Sequence, residues 1–338
     1  MPKVSVIIPN YNNARYLAGC INSVRAQTFQ DIEIIVIDDC SRDNSEKVIR
    51  DFAAADSRIV FLQTPKNSGG PGPVRNMGLD IARGEFILFL DSDDMLCPTA
   101  IDGMLTIQNA TNADVIVGNY TRVPETFHIP DNANFMPPSF DFEGFNEPNA
   151  FVEKIENLNL VVVWTKLIRR ATIGDRRFLA IYPYEDVEFM MRLYGAVRIG
   201  AITPNLAVYY RLSATSVIAD KSRDVSRDVI AVLDSIAANM SAYDEDYEKF
   251  VKRYAYMFLR LWIGSILRKL KKPGTDRMYR RRLRHQMKSM ARTVRRIARV
   301  GVFGGINISL KNRIALFLFG RGCVMRAGKT LAFKDGKI

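Results

Sequence analysis

Glu85-Phe-Ile-Leu-Phe-Leu-Asp-Ser-Asp-Asp94 reads as a short buried strand that runs straight into three carboxylates. The apolar run shows no alternation, so both faces of the strand are predicted to be covered, as in a parallel sheet flanked by helices. The pattern repeats upstream. Val4-Ser-Val-Ile-Ile8 is ended by Pro9, Ile32-Glu-Ile-Ile-Val-Ile37 runs into Asp38 and Asp39, and Arg58-Ile-Val-Phe-Leu62 follows. Segments of helical period lie between these strands. One starts at Asn12 or Asn13, either of which can cap it, and reaches Gln27 with Leu17, Ile21 and Val24 on one face. Another starts at Asp43 or Ser45 and carries Val48, Ile49 and Phe52. Asn67-Ser-Gly-Gly-Pro-Gly-Pro73 reads as a loop, followed by a helix from about Val74 to Arg83. Strands alternating with helices predict right-handed βαβ units and a mostly parallel α/β sheet. Ligands of such sheets bind beyond the carboxyl ends of the strands, where each polar cluster of this half stands.

Downstream, Ala113 to Gly118 and Val208-Tyr-Tyr-Arg211 are predicted strands, and helix is expected from Glu185 to Tyr194. Residues 124–149, rich in Pro, Asn and Phe, read as one long loop suited to a lid. After about Asp224 the pattern is wholly helical. The expected organisation is an α/β domain over 1–220 and a helical region over 221–338.

Of the 338 residues, 48% are hydrophobic and 25% charged, a globular composition that excludes fibrous and disordered classes. Cys20, Cys40, Cys97 and Cys323 show no C-x2-C spacing, and the two histidines, His128 and His285, lie far apart. A cysteine–histidine zinc site or a Ser-His-Asp triad is hard to build from these. No run approaches the roughly 18 apolar residues of a membrane span. Val4–Ile8 is too short for a signal sequence, so the expected compartment is the cytoplasm. The net charge of +12 is uneven: residues 268–299 hold 14 of the 48 Lys and Arg residues and one of the 36 acids. The remainder is close to neutral, and an acidic partner is expected at that segment.

Asp91-Ser-Asp93, two carboxylates at the end of an apolar strand, suits a hard divalent cation, Mg2+ or Mn2+, that also holds substrate phosphates. The Gly-rich loop and Arg75 suggest close approach to a phosphate or sugar. No G-x-x-x-x-G-K-[ST] sequence is present, so a P-loop is not supported. Pro9-Asn-Tyr-Asn12 stands where a dinucleotide fold needs G-x-G-x-x-G, which argues against a dehydrogenase.

These motifs, in order, resemble the inverting family 2 glycosyltransferases of the GT-A fold. The match runs through Val4–Asn13, Ser23–Phe29, Ile37-Asp-Asp-Cys-Ser41, Asn67-Ser-Gly-Gly70, Arg75-Asn-Met-Gly78 and Phe89-Leu-Asp-Ser-Asp-Asp94. It continues at Trp164-Thr-Lys166, Tyr184-Glu-Asp-Val-Glu-Phe189 and Tyr209-Tyr-Arg211, covering Lys3 to about Val217. The resemblance implies a nucleotide-sugar donor and a glycan or lipid-linked saccharide acceptor. It implies that Asp39 reads uracil, that Pro9 and Tyr11 flank the base, and that Asn12, Asn67, Gly70, Arg75, Asp91 near the ribose and Ser92 belong to the donor side. Asp93 then binds the metal, Asp186 acts as general base, and Trp164, Lys166 and Glu185 shape the acceptor side. Where many members carry a histidine, this chain has Ser213, and the loop Gly69-Gly-Pro-Gly-Pro73 is richer in Pro and Gly than usual.

In the C-terminal region Leu283, Met287, Met290, Val294 and Ile297 form one helical stripe among arginines, and Ile306 to Phe319 repeats the theme. Packing on the catalytic domain, lying on an anionic membrane surface through residues 268–319 and pairing in a homodimer are the readings open to it. No nucleic-acid motif accompanies the charge. The setting expected is surface polysaccharide or glycoconjugate synthesis, peripheral on the inner face of a membrane. Two alternatives stand beside it: a nucleotidyltransferase of related fold, and a non-catalytic protein that binds lipid or nucleic acid through the basic helices.

Overall fold

The computed structural model describes residues 1–130, 141–155, 161–212 and 226–239, with isolated positions between 241 and 252. Two units are distinguished, Met1–Arg223 and Asp224–Ile338. In the second, a helix over Ser226–Asn239 buries Val229, Val232, Leu233 and Ile236, a stripe of helical period. The amphipathic segments expected at 283–297 and 306–319, with Cys323, lie outside the described residues. No helix among the described residues is long and apolar enough to cross a membrane.

The first unit is built on one nine-stranded sheet. Its N-terminal half follows the predicted alternation: β1 (Val4–Asn10), α1 (Ala14–Arg25), β2 (Ile32–Asp38), α2 (Ser45–Ala55), β3 (Ile59–Gln63), α3 (Pro71–Ile81) and β4 (Phe86–Phe89). The strands lie in the order β3-β2-β1-β4, all parallel, and β1, β2 and β4 are buried along their whole length. That burial explains their unbroken apolar runs. Two details differ from the sequence reading. The first is the start of α3 at Pro71, inside the stretch expected to be loop: proline lacks the N–H that a first helical turn leaves unpaired, and its φ already suits a helix. The second is that neither Asn12 nor Asn13 caps α1 with its side chain. Asn13 Nδ2 instead donates to Ser92 Oγ at 2.9 Å, tying the start of α1 to the end of β4.

The C-terminal half comprises β5 (Met95–Leu96), α4 (Ala100–Thr111), β6 (Val115–Pro124), β7 (Glu143–Phe145), α5 (Pro148–Lys154), β8 (Lys166–Arg169), α6 (Arg170–Ile173), α7 (Glu185–Tyr194) and β9 (Gly200–Leu212). Here the sheet is mixed. β8 runs antiparallel between β4 and β6, β9 is parallel to β6, and both β5 and β7 pair antiparallel with β9. Hydrophobic patterning carries no information on strand direction, so this reversal was invisible in the sequence. It matters for the site: Leu88 pairs with Leu167, which brings the first residues of β8 to the edge where β1, β2 and β4 end. Residues 124–149 are not one long loop. β6 extends to Pro124, β7 adds an edge strand and α5 follows; residues 131–140 lie outside the described residues. β6 and β9 are also longer than predicted, because their outer halves pair with each other from Asn119↔Leu206 to Pro124↔Leu212.

Candidate functional site

The parallel half delivers its polar residues to one edge. Asn10, at the end of β1, donates from Nδ2 to Asp38 Oδ1 at 2.9 Å, at the end of β2. The chain then turns through left-handed conformations at Asn12 and Cys40. Asn12 Oδ1 accepts from the Arg42 amide at 2.7 Å, and the Asn12 amide donates to Ser41 Oγ at 2.9 Å. Pro9 is buried in β1, whereas Tyr11 is 44% exposed.

Asp39 is buried and receives four donors: Thr64 Oγ1 at 2.9 Å, Asn67 Nδ2 at 3.0 Å, and the amide and hydroxyl of Ser68, each at 2.9 Å at its nearer contact. A carboxylate offers about four lone-pair sites, so Asp39 is fully engaged in holding the loop that enters α3. Gly70 ends that loop, and a Cβ there would stand 2.7 Å from Tyr182 Cβ; only glycine permits this approach.

Arg75, on the first turns of α3, is buried and pairs with two carboxylates, one buried and one partly exposed. Its Nη2 lies 2.7 Å from Asp91 Oδ1 and its Nη1 2.8 Å from Glu185 Oε1. Its Nε has no partner among the described residues. Burial opposes the Arg75 charge, but Asp91, Glu185 and Asp186 together leave its pKa raised. The strand end itself is crowded with acids. Burial, then Asp91, pushes Asp93 up to about 6, and burial with Asp93 and Asp91 holds Asp94 well above the carboxylate range. Asp94 Oδ1 accepts from the Arg211 amide at 2.8 Å, while Asp94 Oδ2 is buried without a partner among the described residues. The Arg211 side chain donates to the carbonyls of Asp93 at 2.9 Å and Phe127 at 3.0 Å, and to that of Glu125, fixing the turn of acids against the end of β6.

On the far side, α7 opens with Glu185 and Asp186. Glu185 is buried and bound to Arg75; burial raises it to about 7 against the pull of Arg75. Asp186 is only partly buried, and Oδ1 accepts from the Val187 amide at 2.8 Å. Burial raises its pKa too, Arg75 opposing. Lys166 is wholly buried at the start of β8, donating to the carbonyl of Val162 and to Thr165 Oγ1 at 3.3 Å. Burial lowers it to about 7, with Asp186 acting the other way. Trp164 is buried and stacks on Tyr210 at 5.2 Å between centroids. Among the described residues no three His, Cys, Asp or Glu side chains converge as a ready ligand set for a metal.

The structure therefore joins Arg75, Asp91 and Glu185; Asp39 with Asn67; and Ser92 with Asn13. Sequence reasoning missed Asp94, Asn13 as a tie, and Phe178, whose backbone is held by Asn76. Asp94 had a signal, since it belongs to the same acidic turn; a single phenylalanine after two arginines had none.

The family described as Glycosyl transferase family 2 matches residues 5–174. Glycosyltransferase GlyG of Streptococcus pneumoniae serotype 4 is 30% identical over 235 residues, which is 68% of this chain and 77% of GlyG. A GalNAc(5)-diNAcBac-PP-undecaprenol β-1,3-glucosyltransferase of Campylobacter jejuni is 40% identical over 115 residues, 34% of this chain and 37% of its own. The crystal structure of Staphylococcus aureus TarS 1–349 in complex with UDP-GlcNAc has a TM-score of 0.72 at 22% identity, covering 95% of this chain and 88% of that one. At that identity the likeness speaks for the fold alone, which is GT-A.

Proposed function

Since the chain belongs to glycosyl transferase family 2 and is a glycosyltransferase, we propose that it transfers a sugar from a UDP-linked donor, with inversion, to a hydroxyl of a glycan or lipid-linked saccharide. The observation that carries this reading is the contrast at the start of α7. Glu185 is buried and ion-paired with Arg75, while the neighbouring residue Asp186 is less covered and its Oδ1 accepts from the Val187 amide. A base must meet the proton it removes. Asp186 takes the proton of the acceptor hydroxyl as that oxygen bonds to the anomeric carbon. The bond from that carbon to the diphosphate oxygen breaks on the opposite face, and UDP leaves with the electron pair. One base and one displacement give inversion.

The donor side is read as follows. Tyr11 and Pro9 flank the base. Asp39 is assigned to the base, whose N–H would take over one of the positions now held by Asn67 and Ser68 of the loop beside it. The complex of TarS with UDP-GlcNAc supports a UDP-sugar, and the undecaprenol-linked glycan in the name of the Campylobacter enzyme supports a saccharide acceptor. A divalent cation fits the acidic turn: Asp94 Oδ2 is an orphaned buried oxygen, and burial together with the charge of Asp91 raises both Asp93 and Asp94, Arg211 only partly opposing. Asp93 would hold it. One or two carboxylates suffice where phosphates and water complete the shell, as with Mg2+. Bound there, Mg2+ or Mn2+ supplies charge to the departing diphosphate. The basic region from 268 to 319 is assigned to an anionic membrane surface, on composition alone.

The test is a panel of nucleotide sugars with Mn2+ or Mg2+ and candidate saccharide acceptors. Release of UDP with a glycosylated product is expected; release of pyrophosphate would mean a nucleotidyltransferase and overturn the reading.

A further inference from the structure

We infer that Arg75 is a positioning residue, which couples the donor-side strand end at Asp91 to the helix that presents Asp186. The inference rests on the reading of Asp186 as base. Arg75 reaches across the edge of the sheet with both terminal nitrogens committed, one to Asp91 after β4 and one to Glu185 at the start of α7. A second layer lies beneath it. Phe89, two residues before Asp91, meets the edge of Phe178 at 5.4 Å between centroids. Phe178 in turn stacks on Phe189, one turn after Glu185 on α7, at 3.9 Å and 12°. The Arg75 guanidinium sits 5.4 Å from the Phe178 ring. The next residue of α3, Asn76, holds the backbone that carries that ring: its Nδ2 donates to the Phe178 carbonyl at 2.9 Å, and its Oδ1 accepts from the Phe178 amide at 2.8 Å. Two adjacent residues of one helix thus grip both the polar and the aromatic joint between β4 and α7.

The aromatic joint holds the two elements together; the polar joint sets where the first turn of α7 points. A planar fork holds carboxylates on two sides in fixed directions, which the rotatable donors of a lysine on its flexible stem would not do. An error of about 1 Å in a catalytic group costs roughly 100-fold in rate. Loss of Arg75 is therefore expected to slow the chemical step while leaving the donor bound.

The experiment uses the full chain and three single variants, R75K, R75Q and E185A, with the double variant R75Q/E185A. Binding of UDP with Mn2+ is measured by calorimetry, and turnover as release of UDP from the donor that the panel selects. Expected are UDP affinities within about threefold of wild type and a turnover about 100-fold lower in each single variant. The double variant should be no slower than R75Q, because both changes break one joint. Turnover near wild type, a loss of UDP affinity that accounts for the loss of rate, or losses that multiply in the double variant would each overturn the inference. The second of these would make Arg75 a donor contact through its Nε. Melting temperatures report whether R75Q folds; if it does not, R75K and E185A carry the same comparison. D186N is run in parallel. If D186N keeps full turnover, the base assignment fails; if D186N is inactive while R75Q and E185A are active, only the coupling fails.

Discussion

At the scale of single residues, the acids of this site differ in environment more than in kind. Asp93 lies in a turn of three carboxylates, where burial and then the charge of Asp91 raise its pKa to about 6. Asp93→Ala should remove divalent-ion dependence and lower turnover by about 100-fold or more, since the charge of the leaving diphosphate is then uncompensated. Turnover measured with and without chelator checks this; an active variant that still needs metal would move the ligand elsewhere. Asp186 and Glu185 titrate as a pair whose protons burial holds on to, Glu185 to about 7. The base must be ionised, so turnover should rise with pH along a limb above the ordinary aspartate range, and Asp186→Asn should flatten that limb. Stability runs in the opposite direction. A carboxyl whose pKa is raised by folding favours the fold below its unfolded value, and that contribution is lost as pH rises through the folded one, here about 7 for Glu185. Melting temperature should therefore fall less between pH 5 and pH 8 in Glu185→Gln than in wild type.

At the scale of elements, the Arg75-Asn76-Met-Gly78 stretch explains itself once α3 is placed. Arg75 and Asn76 face the site, and Gly78 faces β1, where a Cβ would come within 2.5 Å of Ile7 Cγ2 and 3.2 Å of Ile37 Cδ1. Gly78→Ala should push α3 off the sheet at a cost of about 1–3 kcal/mol, read as a drop of roughly 2–10 °C in melting temperature. An unchanged midpoint would show that Ile7 yields without strain. The strands and the acidic turn were legible beforehand because their signals are local: an apolar run, then Asp91-Ser-Asp93. The same holds for the helix carrying Leu17, Ile21 and Val24, all buried as the spacing required. What was not legible depends on distant partners. Nothing near Lys166 announces that β8 runs backwards, nothing near Phe178 announces Phe89 and Phe189, and the pairing of β7 with β9 spans residues that read as loop. The burial of Lys166 was hidden for the same reason, since its covering groups come from other strands.

At the scale of the whole molecule, the charge is segregated. The segment 268–299 carries 14 basic residues and one acid on a sequence with a continuous apolar stripe. Each basic residue near an anionic surface contributes about 1 kcal/mol, and salt weakens the attraction by shortening the Debye length. The full chain should co-sediment with anionic vesicles at low salt, release at high salt and ignore neutral ones. Equal recovery on both lipids, or on neither, would assign the stripe to packing within the protein.

The sheet also records where this chain can be cut and rejoined. Residues 4–89 supply the four parallel strands, and 95–212 supply all the others, so the acidic turn between them is the chain's one passage from half to half. A single genetic crossover within codons 91–94 would exchange every strand of the C-terminal half of the sheet without interrupting any strand. The offspring would still have to satisfy the traffic that returns across the join, which includes Arg75 to Glu185, Asn76 to Phe178, Asp80 to Arg177 and Glu85 to Arg169. Hybrids that break that match are expected to lose turnover, which makes these pairs part of a compatibility code for recombining such chains.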